Sequence, residues 1–342
     1  MVMRLACRHT AALLVMVMVF AVLGCERRPL LDPNFTTELQ VVIDAEGMRN
    51  VTCDIYNPKI QPQPTNPEML RVLFYEPGEN RIAGESYISS VSTDSQGRHV
   101  VSGRVGIMPG NYEMVVYNFD TPSTIIRNDY SHHTIEAYTS SVSEALASRF
   151  NTRANEPLDI RHQPDLVWVA TDAAKSIPWH DELYTIRTTA TPVTETFYLQ
   201  VKVEGLEWVS SAQAILTGMA GSNMLGSRQR VDVPETAIYF SLQKSDDKGS
   251  AVLCSVFNTF GHIDHSNNEL WVSFNINTVD GRVENRDFNI SKLFESPECK
   301  EHNWLLLDEV ITIDKPSTPP TAGGGFKPET EDWKEEHFDM EL

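Results

Sequence analysis

Two short stretches of the chain hold residue types that bind metal ions. His262-Ile263-Asp264-His265 sets two imidazoles and a carboxylate within four residues, a donor set that suits zinc. The stretch runs into Asn267-Asn268 and follows no strong metal motif, so a solvated turn explains it equally well. His262, Asp264 and His265 stay weak candidates, and no metal or other cofactor is assigned. His132 and His133 are adjacent; neighbours on a strand point to opposite faces, so they are not expected to share one ion. Nucleophile chemistry has no better footing. The chain lacks a Gly-x-Ser-x-Gly elbow and a helical His-Glu-x-x-His, and Gly218, Gly221 and Gly226 fit no phosphate-cradling pattern. No catalytic residue is nominated, and a non-enzymatic role is expected. Among the tryptophans, Trp168 and Trp271 stand in strand-like runs and read as core, whereas Trp179, in Ile177-Pro178-Trp179-His180, reads as an exposed ligand contact.

The strongest chemical signal is a single thiol. Cys25 closes the apolar run Leu13 to Gly24, which follows a short basic start with Arg4 and Arg8. That order describes a secretory signal. Val22-Leu23-Gly24-Cys25 further resembles a bacterial lipobox, in which cleavage before the cysteine leaves its sulfur and new amino terminus to carry acyl chains. The run is shorter than the roughly 20 apolar residues a membrane-spanning helix needs before it meets Glu26-Arg27-Arg28. Residues 1–24 are therefore expected to be a lipoprotein signal peptide, 25–36 a tether, and Cys25 the lipidation site. Such an anchor supplies an address outside the cytoplasm, not an activity.

Charge narrows the partners. The chain carries a formal charge of −19, and losing the leader with its two arginines takes it to −21. An acidic body repels nucleic acid, whose binding needs clustered Lys and Arg. Of the five cysteines, Cys7 leaves with the leader and Cys25 is acylated, so Cys53, Cys254 and Cys299 remain. A chain this long buries enough surface without staples, and free or buried thiols are favoured over a Cys254–Cys299 bridge.

The elements between these signals read as strands. Glu38–Asp44, Leu70–Tyr75, Gly84–Ile88, Val100–Val105 and Tyr112–Asn118 are strand-length apolar runs, most of them set apart by turn residues such as Pro77-Gly78 and Pro109-Gly110-Asn111. That spacing predicts an antiparallel sandwich or barrel. In the second turn, proline presets the turn, Gly110 tolerates a positive φ, and Tyr112 starts the returning strand. One helix is expected from Ser141 as cap with Glu144 three residues on, its apolar face being Val142, Ala145, Leu146 and Phe150. Asp165–Thr171 restores the strand pattern. Thr188–Pro192 reads as a small polar bridge between an N-terminal domain, 37–190, and a C-terminal domain, 191–315, which opens with the alternating run Thr196–Val203. Residues 316–342, with Pro316, Pro319, Pro320 and three consecutive glycines, read as an acidic flexible tail.

Together, the lipobox with Glu26-Arg27-Arg28-Pro29-Leu30, the strand Val72–Tyr75, the turn Pro109–Tyr112 leading to Val115–Asn118, and Leu216–Gly221 in a second β region resemble the fimbrillin-like lipoproteins of Bacteroidota. Within that group the chain is similar to an uncharacterised-domain family related to the minor fimbrial anchor subunits. The resemblance implies an all-β fold of two tandem transthyretin-like antiparallel β-sandwich domains with one short helix. It implies a lipid-anchored envelope protein acting as a fimbria-like anchor, assembly or adhesion subunit. Its partners would be the membrane, through acyl chains on Cys25, and other fimbrial or surface subunits, by β-strand addition. Proteolytic maturation of stalk subunits follows an arginine, for which Arg49 and Arg71 are the available positions. The outer membrane is the implied location, with the cell surface favoured over the periplasmic face although Arg27-Arg28 replace the usual acidic export signal. A glycan-binding lipoprotein of a nutrient-uptake system is the alternative, and it would use exposed tryptophans.

Overall fold

The computed structural model describes residues 37–44, 66–119, 121–150, 158–180, 182–245, 251–263 and 270–316. The expected leader, tether, acidic tail, Arg49 and Cys53 lie outside the described residues.

The fold is all-β and built from two sheets. The first holds β1 (Thr37–Ile43), β2 (Leu70–Tyr75), β3 (Ile82–Ile88), β4 (Ser90–Thr93), β5 (His99–Val105), β6 (Gly110–Tyr117), β10 (Trp168–Ile177) and β11 (Tyr184–Pro192), in the order β3-β2-β6-β10-β11-β1-β5-β4. The second runs β17 (Val283–Asn289), β16 (Trp271–Thr278), β13 (Val209–Met224), β14 (Gln229–Ser245), β15 (Val252–Thr259), β12 (Glu195–Glu204) and β18 (Trp304–Thr312). Residues 124–162 leave the first sheet and add to the second: β7 (Thr124–Arg127) pairs β8 (Glu136–Thr139), β8 pairs β13, and β9 (Asp159–His162) pairs β14.

Each sheet folds over on itself around an apolar filling. β3 runs almost directly into β4, while β10 and β11 pair only at Trp168–Pro192 and Val169–Thr191. Those two corners close a sandwich whose core takes Leu39, Val41 and Val101 from one layer and Val72, Phe74, Val116 and Trp168 from the other. In β1 the alternation is strict: Thr37, Leu39, Val41 and Ile43 are buried, and the residues between them are half-exposed. A second core joins Phe197, Leu199, Val201, Leu216, Phe240, Phe257, Phe274 and Leu305, with Phe240 and Phe257 stacked at 3.9 Å between centroids.

A third core locks the two sandwiches together. Leu73, Tyr75, Val115, Tyr117, Val167 and Val169 occupy the alternate positions of β2, β6 and the β10 region, and they pack on Ile135, Ala137, Ala220, Leu225, Phe260 and Ile263. The segments Val72–Tyr75, Met114–Tyr117 and Val167–Ala170 are thus buried on both faces, which is why they read as short apolar runs and not as alternation.

Several expectations need correction. The sheets are not purely antiparallel: β1 pairs β11, β12 pairs β18 and β9 pairs β14 in parallel. In the first two cases a strand from the start of a unit meets one from its end, so a long crossover separates them, as parallel pairing requires. Thr188–Pro192 is no bridge but the second half of β11, where Ile186 and Ala190 enter the core and threonines occupy the other positions. Three short α-helices are present among the described residues, not one: α1 (Glu144–Ala147), α2 (Ser291–Phe294) and α3 (Pro297–His302). The cap of α1 is Ser143, whose hydroxyl accepts from the Leu146 amide, and Ala147 packs where Ala145 was expected. Gly110 does not use its tolerance of positive φ; the ring of Tyr112, whose hydroxyl donates to the Met108 carbonyl at 3.0 Å, lies against it, and a Cβ there would press on that ring at 3.0–3.2 Å. Cys254 and Cys299 are both buried, and burial pushes the Cys254 thiol up to about 11.

Candidate functional site

The residues that join the sandwiches form the most elaborated polar region of the chain. Arg71 stands in β2 between β3 and β6. Its Nε donates to Glu85 at 2.8 Å, and its Nη1 donates to Asp129 at 2.8 Å and to the Tyr117 hydroxyl at 2.7 Å. The Tyr75 hydroxyl donates to the Asp129 carbonyl at 2.9 Å, so the 128–134 turn is tied to the first sandwich at two points. Burial alone would lower the Arg71 pKa, but its acidic and phenolic partners outweigh it and hold the guanidinium charged. Burial also pushes Tyr117 up to about 12. Arg71 is therefore a structural node with little exposure, and it does not present the accessible backbone that a maturation protease needs.

Beyond this turn, Arg127 makes a bidentate pair with Glu136 at 2.8 and 3.0 Å and lies over the Tyr138 ring at 4.3 Å. Arg161 pairs with Asp159 at 2.6 Å and donates to the Gly221 carbonyl at 3.0 Å. Burial would raise the pKa of both carboxylates, yet the arginine partners win and hold them below the usual range. A carboxylate with a depressed folded pKa contributes stability above its unfolded value, and that contribution is lost as pH falls through the folded one. Stability is accordingly expected to hold down to about pH 5 and to fall steadily below it. In urea melts across pH 3–6, Glu136→Gln should flatten this slope; an unchanged slope would show that the pair does not couple folding to pH.

The sequence-nominated residues are scattered. Cys25 lies outside the described residues, as do Asp264 and His265. His262 accepts from Arg230 through its carbonyl at 2.8 Å, and its ring tilts against Phe294. Trp179 sits in the loop between β10 and β11 at 70% exposure, near the exposed Leu183. His180 in the same loop stacks on Tyr184 and approaches the Thr37 hydroxyl at 3.4 Å. The loop thus flanks the start of β1, the end of the sandwich that follows the expected tether. His132 and His133 lie in a turn and not in a strand, and their rings meet edge to face at 5.5 Å beside Glu113. A turn does not impose strand alternation, and no local signal in the sequence marked it.

A cleft of about 360 Å³ opens at the junction, lined by Thr194, Glu195, Asn223, Arg228, Arg230 and Phe260 among others. Its arginines serve the fold: Arg228 donates to Thr191 and to the Pro192 carbonyl, and Arg230 to that of His262. Among the described residues, no serine, cysteine or histidine lines it. The other surfaces able to take a partner are the sheet edges, β3 and β4 in the first sheet, β17 and β18 in the second. β17 is crowded by Arg282, Glu284 and Arg286 in mutual ion pairs, and β18 carries a register shift followed by the exposed Asp308 and Glu309. Edge charges and bulges of this kind suppress indiscriminate pairing.

The chain shares this architecture with proteins of known structure and sequence. It is 23% identical over 329 residues to a protein of Bacteroides ovatus provisionally named fimbrium anchoring subunit Fim4B, covering 88% of each chain. A crystal structure of a provisionally assigned Bacteroides ovatus adhesin superposes with a TM-score of 0.56 at 22% identity, over 86% of this chain and 99% of the other, which establishes the shared fold. The fimbrial anchor protein Mfa2 of Porphyromonas gingivalis matches with a TM-score of 0.42 and 11% identity, over 79% of this chain and 88% of that one. A family described as a domain of unknown function, DUF5119, matches residues 24–240. The chain belongs to that family.

Proposed function

We propose that the chain is a lipid-anchored cell-envelope protein that serves as the anchor, assembly or adhesion subunit of a fimbria-like polymer, and that it performs no catalysis. The observation that carries this reading is the near full-length likeness to the protein named as a fimbrium anchoring subunit. The lipobox at Cys25 supports it, since an anchor must be held by something stronger than a peripheral contact. So does the third core: a part that transmits load from a polymer to a membrane needs domains that do not swing, and a shared apolar interface with an arginine node at its margin provides that. In this reading residues 37–190 and 191–315 are two working units between the tether, 25–36, and the tail, 316–342. The partner is another subunit that adds a strand to an exposed edge, with main-chain hydrogen bonds giving affinity. The site of action is the outer membrane, on the cell-surface side.

The test is direct assembly. The full chain in detergent, mixed with the fimbrial subunits encoded beside it, is expected to elute with them as one complex in size-exclusion chromatography. Separate elution at every ratio would sink the anchor reading. The glycan-binding alternative draws on Trp179, an exposed indole of the kind that stacks on sugars, and it predicts glycan-array binding that Trp179→Ala abolishes.

A further inference from the structure

Glu113 in β6 and His132 and His133 in the turn before β8 hold one ligand atom each, all within 4.8 Å of one another. Glu113 and His132 are 7% and 4% exposed, while His133 reaches the surface. Buried polar atoms are almost always paired, yet Glu113 Oε2 and His132 Nδ1 have no hydrogen-bond partner. On its other oxygen the carboxylate faces His133, whose Nε2 lies 3.5 Å from Oε1.

The tautomer of His132 follows from its other nitrogen. The Thr171 hydroxyl donates to the Gly226 carbonyl at 2.9 Å, so toward His132 Nε2, 3.0 Å away, it can only accept. The ring proton is therefore on Nε2 and the Nδ1 lone pair is left open. A neutral histidine that gives its second N–H to a fixed oxygen is the usual form of a metal ligand, oriented by its outer partner. Gly226 closes the back of the site: a Cβ there would strike the His132 carbonyl and come within 3.1 Å of Nδ1.

We propose that Glu113, His132 and His133 form a zinc site with two imidazoles, one carboxylate and a fourth position open to water on the His133 side. Tetrahedral zinc with bonds of about 2.0–2.1 Å sets its ligand atoms about 3.3–3.4 Å apart. The His133–Glu113 spacing of 3.5 Å already meets this. The ion would neutralise a carboxylate that is otherwise buried without full compensation. It would also bind β6 of the first sandwich to the turn that enters β8, and β8 belongs to the second sheet. The site is thus a cross-link at the junction between the sandwiches.

The experiment is titration of the full chain, purified in detergent and stripped by chelator, with zinc chloride in a calorimeter. The expected result is one zinc per chain with Kd at or below about 10 μM. His133→Gln, which changes an exposed side chain, and Glu113→Gln, which keeps size and shape, should each weaken binding at least about tenfold. His262→Gln should leave it unchanged, and zinc should raise the Tm of the wild type but not of Glu113→Gln. Binding weaker than about 10 μM, or equal binding in the wild type and His133→Gln, overturns the proposal.

Discussion

Replacing Cys25 with serine is expected to abolish incorporation of a fatty-acid label and to shift the chain out of the detergent-soluble outer-membrane fraction. The size of the effect follows from hydrocarbon transfer. Each buried CH₂ contributes about 0.8 kcal/mol, one acyl chain gives only reversible attachment, and two or more give a stable anchor. Serine has no thiol for the thioether, and without that step the amino terminus is not freed for a further chain. Every chain is lost at once, so the anchor disappears instead of weakening. The acidic body cannot substitute for it, because a formal charge of −21 after leader removal is repelled by anionic lipid. Equal labelling of wild type and Cys25→Ser would place the lipid elsewhere or nowhere.

Arg71→Ala should be the most damaging single substitution in the polar junction, lowering stability by about 3 kcal/mol in urea melts. The side chain is 19% exposed and reaches Glu85, Asp129 and the Tyr117 hydroxyl together. Truncation leaves two carboxylates and a buried phenol facing a void, and the cost is the desolvation of those orphaned groups more than the lost attraction. Glu85 and Asp129 keep some access to water, at 37% and 39% exposure, which sets the estimate at the lower end of the range for broken buried pairs. Arg98→Ala is the control. Its partner Asp94 sits four residues away on a surface hairpin, and an exposed pair of that kind contributes less than about 1 kcal/mol. Equal losses in the two variants would mean that Arg71 is one more surface arginine and not a junction node.

The legible parts of the fold were those in which one strand carries its own pattern. β1 and β12 alternate, and β2 and β6 are apolar on both faces, so their existence followed from side-chain period and run length. β11 hid because its inward positions pass through Ile186, Thr188 and Ala190; threonine favours strands but leaves no apolar stripe. The parallel pairs hid for a different reason. Local pattern fixes a strand's period but not its neighbour, and the neighbours of β1 and β12 arrive more than a hundred residues later. The zinc ligands were obscured by the same gap. His132-His133 is visible as a pair, but Glu113 lies in another strand, and the turn that brings them together depends on Asp129 meeting Arg71. The Cys25 signal is of another kind: it is linear, read from the chain before it folds, and it lies outside the described residues.

If this chain holds a polymer to a membrane, as proposed, the partition of that polymer in cells depends on Cys25. Cells carrying the wild type and cells carrying Cys25→Ser would be compared for fimbrial subunits in the culture medium and on the cell pellet. Cell-bound fimbriae are expected in the wild type, and fimbriae shed into the medium, with this chain at their base, in the variant. Fimbriae that stay on Cys25→Ser cells at the wild-type level, or shed fimbriae that lack this chain, would contradict it.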